Sequence, residues 1–196
     1  MPSFFHHPLY NHRLQAYYRE RAEDQFSNWK ELPGGEGRVC VPTDGLNRIF
    51  QMTHILHHLV DEGVGLRQLM DYYYLLTTSK KTDMVQDAAL IDRLGMKRFA
   101  GGLMYALGEL LGLSRERMTV APDERTGRMI VEEVLQGGNF GRYDERCPKR
   151  GGKVGYLRQM VSRISRVGRI LPGEMLSVPL FLAWHQVWKL TMGNKH

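Results

Sequence analysis

Between Asp44 and Leu135 apolar residues return at every third or fourth position, and glycines stand where that rhythm stops. This is the period of the helix; strands alternate by two. Leu46, Ile49, Phe50, Thr53, Leu56 and Val60 keep one stripe, with Thr43 or Asp44 placed to cap it and Gly63 and Gly65 to break it. Leu66, Leu69, Met70, Tyr73 and Leu76 form the inward stripe of the next segment. Tyr72, Tyr73 and Tyr74 cannot all face one way, so at least one is expected to be exposed or to line a groove. Further helices are predicted over 84–94, 96–111, 123–135, 155–170 and 173–190, with Gly95, Gly112 and Gly137-Gly138 as C-terminal stops. The small residues of Phe99-Ala100-Gly101-Gly102-Leu103 predict a close helix approach.

Upstream, a helical pattern runs from Leu9 to about Phe26, and Pro33-Gly34-Gly35-Glu36-Gly37 is a turn cluster. Arg38-Val39-Cys40-Val41 is the best short strand candidate. The expected fold is therefore mainly α, a multi-helix bundle with at most a short β element near residues 38–41. The 196 residues fit one domain or two small ones. The division expected is a helical region over 1–140, then a basic amphipathic helix and a Trp-bearing C-terminal helix over 141–196.

Hydrophobic residues make up 42% and charged residues 24%, which suits a packed core and not a disordered chain. Cys40 and Cys147 show neither a C-x-x-C spacing nor a disulfide framework, so a reduced, cytoplasmic setting is expected. Met-Pro-Ser-Phe-Phe-His-His-Pro lacks the basic start and apolar core of a signal peptide. No run approaches the roughly 20 apolar residues of a membrane span. The longest, 175–188, is interrupted by Pro179, His185 and Gln186.

The net charge of +6 is local. Of 27 basic residues, eight (Arg146, Lys149, Arg150, Lys153, Arg158, Arg163, Arg166 and Arg169) lie between Glu145 and Glu174, where no acidic residue occurs. The remaining 19 face 21 acidic residues. Arg158, Arg166 and Arg169 fall on the polar side of an amphipathic pattern and are candidates for contact with an anionic surface. A plain solvated face and peripheral docking on an anionic membrane or a protein partner are the competing readings. Nucleic acid ranks last, because aromatics are not interleaved with the basic residues as a stacking platform requires.

Polar chemistry concentrates in the string from His54 to Tyr74. His54, His58 and Asp61 stand at i, i+4 and i+7, so one helix face carries two imidazoles and a carboxylate. That spacing suits a divalent metal, to which His6, His7 or His12 could add, but it is not H-E-x-x-H and no third ligand is fixed; no metal is assigned. Arg67 and Asp71 suit either an i, i+4 ion pair or a phosphate contact near a helix start. Gly137-Gly138-Asn139-Phe140-Gly141 follows a helix, whereas phosphate cradles precede one, so a structural turn is favoured. No P-loop, G-x-S-x-G or G-x-G-x-x-G is present, which removes the commonest ATPase, hydrolase and dinucleotide readings.

Three strings carry a resemblance. They are His7-Pro8-Leu9-Tyr10-Asn11-His12-Arg13-Leu14-Gln15, then His54 through Tyr74 with its Glu62-Gly-Val-Gly-Leu-Arg-Gln-Leu-Met-Asp71 block, then Gly137–Gly141 with Asp144-Glu145-Arg146. Over residues 4–140 the chain resembles the bacterial nucleotidyltransferase-like family of surface-polysaccharide gene regions, in its downstream helical portion. The resemblance implies an N-terminal α/β catalytic domain bearing a Gly-rich turn and an Asp-x-Asp pair. Such a pair holds the Mg²⁺ ions that neutralise a nucleoside triphosphate. Here no two acidic residues are separated by a single position. No catalytic residue is carried over. Mg²⁺ and a nucleoside triphosphate are implied only for a complete family member, with the missing domain as partner. His54, His58, Arg67 and Asp71 are the positions expected to face nucleotide or acceptor.

Overall fold

The structure, a computed structural model, describes residues 5–61, 63–80, 84–137 and 168–192. In chain order the elements are α1 (Pro8–Glu20), α2 (Ala22–Ser27), β1 (Trp29–Glu31), β2 (Arg38–Cys40), α3 (Asp44–Asp61), α4 (Leu66–Thr78), α5 (Met84–Arg93), α6 (Lys97–Leu111), a 3₁₀ turn (Arg115–Arg117), α7 (Glu124–Gly137) and α8 (Pro172–Met192). The fold is mainly α-helical, as the periodicity predicts. The first helical pattern is divided at Arg21, whose φ of −99° and ψ of 1° leave the helical range. The predicted helix over 155–170 lies outside the described residues as far as position 167; 168–170 form a turn.

α6 is the central element. From Phe99 to Leu107 nearly every residue is buried, including Ala100, Gly101, Gly102, Leu103, Met104 and Ala106, the pattern of a helix covered on all sides. It packs on α4, α5 and most extensively α7, while α3 packs on α4 and α5. Ile49, Met52, Ile55, Leu56 and Leu59 give α3 its buried face.

The close approach predicted at Gly101-Gly102 is made with α7. A Cβ at Gly102 would lie 2.6 Å from Thr126 Cγ2, and one at Gly127 would lie 2.3 Å from Tyr105 Cδ1. Between them the backbones touch: Asp123 N donates to Gly101 O at 2.9 Å. Asp123 Oδ1 accepts from Thr126 N at 2.9 Å, so the same residue caps α7.

The inward face of α4 differs from the one expected. Leu69, Tyr72 and Leu76 are buried, whereas Leu66 and Met70 are exposed and Tyr73 is half-buried. Burying Tyr72 turns the stripe by one position. Tyr74 is the exposed member of the trio.

The β element has a partner that the periodicity does not reveal. β1 pairs antiparallel with β2, Trp29 opposite Cys40 and Glu31 opposite Arg38. Gly34, Gly35 and Gly37 take φ of 89°, 75° and 140° in the turn, values a side chain disfavours. Asn28 Nδ2 donates to the carbonyls of Val41 and Pro42, tying the hairpin base to the start of α3.

α8 is joined to α1 through one buried carboxylate. Glu174 accepts from the backbone N–H groups of His6 and His7 and from His6 Nδ1 at 3.1 Å. It thereby satisfies donors at the start of α1, where Pro8 occupies the first turn. Among the described residues no helix is long and apolar enough to cross a membrane.

Candidate functional site

A charged cleft of about 530 Å³ opens between α1, α2, the start of α3 and α5, within the size range of small-molecule sites. Its walls bring together Tyr17, Arg21 and Asp24 from the first two helices, Lys30 from the hairpin, Asp44 and Arg48 from α3, Lys80 after α4, and Asp87 and Arg93 from α5. The positions of Arg48 and Asp87 follow from their helices. Arg48 is in register with Met52, Ile55 and Leu59, and Asp87 with Ile91 and Leu94, all of them buried. Two helices that bury these faces must bury the two charges as well.

They bury them together. Arg48 Nε donates to Asp87 Oδ2 at 2.5 Å, and neither side chain has more than slight contact with solvent. A paired, hydrogen-bonded burial is the condition under which charges are tolerated inside a protein. Two tyrosines sense this pair. Desolvation raises the Tyr17 pKa, and the neighbouring Asp87 carboxylate raises it further. Tyr72, fully buried, is raised in the same way, by burial first and by Asp87 second. Tyr18 is pushed up to about 12 by burial, partly offset by its contact with Thr53 Oγ1 at 3.4 Å.

Asp24 is held by Arg21 at 3.3 Å, an exposed pair. Asp24 and Asp87 are engaged by arginines, and Lys30, Lys80, Arg93, Glu20 and Asp44 line the same cleft. Cations, hydroxyl-accepting carboxylates and an aromatic ring thus surround one space. The two-metal chemistry of nucleotidyl transfer does not fit here: paired Mg²⁺ ions need a cluster of carboxylates, and among the described residues no three His, Cys, Asp or Glu side chains gather. No Mg²⁺-dependent step is assigned to this cleft.

The four positions expected to face a ligand lie elsewhere. His54 and His58 come together on α3, Nε2 to Nε2 at 3.0 Å, with the His54 ring stacked on Phe50. Arg67 and Asp71 are exposed on α4, and among the described residues no ion pair joins them. Neither pair lines the cleft. Arg158 and Arg166 lie outside the described residues. Arg169 is exposed beside the start of α8, and its carbonyl accepts from Arg98 Nη1 at 3.1 Å. His6 is engaged with Glu174, His7 stacks on Tyr10, and His12 lines a second, apolar groove of about 590 Å³ with Phe5, Leu180, Phe181 and Trp184.

Arg48, Asp87 and Tyr17 were not among the residues that motif reasoning singled out. The available signal was a charge in phase with buried apolar positions on each of two helices, with opposite signs. Compared with protein families, with curated proteins and with solved structures, the chain matches none.

Proposed function

We propose that this chain is a nucleotidyltransferase-related helical domain that performs no nucleotidyl transfer alone and presents a nucleotide-sized receptor cleft to a catalytic partner domain. The observation that carries the reading is the cleft itself. Lys30, Lys80 and Arg93 suit phosphate oxygens, Glu20 and Asp44 suit sugar hydroxyls, and the Tyr17 ring offers a face for a base. The Arg48–Asp87 pair fixes α3 against α5 and so holds the two walls in register. On this reading the metal ions, and with them the phosphoryl chemistry, belong to another domain, because this sequence holds no Asp-x-Asp pair.

Two assays on the purified chain test this. Equilibrium dialysis with each of the four nucleoside triphosphates is expected to show saturable binding, weakened at least about tenfold by the charge reversals Lys80→Glu and Arg93→Glu. Pyrophosphate release, measured with Mg²⁺ or Mn²⁺ over sugar, aminoglycoside and protein hydroxyl acceptors, is expected to stay at background. Robust turnover by the pure chain overturns the division of labour; equal nucleotide binding by wild type and both variants overturns the assignment of the cleft.

A further inference from the structure

We propose that His54 and His58 form a two-imidazole binding site for a divalent borderline metal ion, Zn²⁺ foremost, on the edge of α3. The residues stand four apart on one helix face, and their Nε2 atoms converge to 3.0 Å. The rings meet nearly at right angles, 81°, with centroids 4.3 Å apart. Two imidazole nitrogens on a tetrahedral Zn²⁺ at its usual bond length are about 3.3 Å apart, so the pair needs to open by only a few tenths of an ångström. Stacking of His54 on Phe50, interplanar angle 10°, limits the freedom that metal binding would otherwise have to remove. Phe50 is itself exposed, which places the pair at the solvent edge of the core.

Among the described residues no third His, Cys, Asp or Glu completes the set. A set of two imidazoles leaves coordination positions that water or an oxygen of a bound molecule can take, as in an open site. Binding uses both Nε2 lone pairs, so the ring that donates in the direct Nε2···Nε2 hydrogen bond must carry its proton on Nδ1 instead. Neither residue lines the charged cleft, so the site stands or falls independently of the nucleotide proposal.

The test is calorimetric titration of the full chain with Zn²⁺, followed by electron paramagnetic resonance with Cu²⁺ as the probe. One equivalent is expected to bind, with affinity reduced at least about tenfold in His54→Ala and in His58→Ala and unchanged in His57→Ala. The Cu²⁺ spectrum is expected to show two equivalent nitrogens. Where an alanine variant unfolds, the conservative His54→Gln and His58→Gln are used instead, each expected to lose one nitrogen from the spectrum. A hydrogen-bonded histidine pair with no affinity for metal gives no saturable binding and no nitrogen splitting. That result overturns the proposal, as does binding lost in His57→Ala and retained in the other two.

Discussion

Arg48 Nε sits 2.5 Å from Asp87 Oδ2, joining the N-terminal halves of two helices through a contact almost wholly shielded from water. The Coulombic gain of such a pair is offset by desolvation, but losing one partner leaves the other buried with its charge uncompensated. Asp87→Ala is therefore expected to cost about 3–5 kcal/mol in urea denaturation. The double variant Arg48→Met with Asp87→Leu is expected to lose less than either single change. A double variant as unstable as the sum of the singles would contradict this account of the pair.

Two glycines of α6 predict opposite signs for the same change. At Gly102 a methyl group would meet Thr126 Cβ at 2.9 Å and Ile130 Cδ1 at 3.0 Å. Gly102→Ala is expected to destabilise by about 1–3 kcal/mol through overpacking. At Gly108 the nearest atom is the mobile Cε of Met118 at 3.4 Å. Gly108→Ala should gain up to about 1 kcal/mol from helix propensity. Thermal melts of the two variants make the comparison, and equal shifts would be inconsistent with close packing at Gly102.

Much of this architecture is legible in the chain, because its signals are local. The glycine stops at Gly95 and Gly112 take φ of 70° and 73°, as C-terminal turns require. The Gly101-Gly102 step also reads correctly as close packing. The strand Trp29–Glu31 was missed because it is three residues long and exposed throughout, so it carries no alternation to detect. The inward face of α4 was displaced because Tyr72 and Tyr73 are interchangeable on pattern alone; only contact with the rest of the core selects Tyr72. Arg48 and Asp87 escaped for a different reason. They lie 39 positions apart on separate helices, and no short motif records a tertiary ion pair.

Glu174 provides a test of how α8 is attached. Its buried carboxylate serves the backbone donors of the half-buried His6 and His7. Glu174→Ala is expected to cost about 1–3 kcal/mol. It should also accelerate hydrogen exchange at the His7 amide well beyond the change at α6 amides. Uniform acceleration across both helices would indicate global destabilisation in place of local release.

Tyr18 predicts the alkaline limit of stability. Its hydroxyl is raised from 10.0 to about 12 in the folded chain by burial. Above the unfolded value the unfolded chain loses this proton first, so unfolding gains free energy as pH rises. The contribution is fully present below pH 10 and is lost between about pH 10 and 12. Tyr18→Phe should flatten the decline in melting temperature over that window. An unchanged slope would mean that the hydroxyl is not shielded as described.

The central claim, a nucleotide receptor in the cleft between α1, α3 and α5, is tested most directly by titrating the ¹⁵N-labelled chain with a nucleoside triphosphate. Saturable amide shifts are expected within residues 17–30, 43–48, 80 and 86–93, with α6 and α7 unaffected. Shifts absent up to about 10 mM ligand, or confined to surfaces outside those segments, would contradict the account.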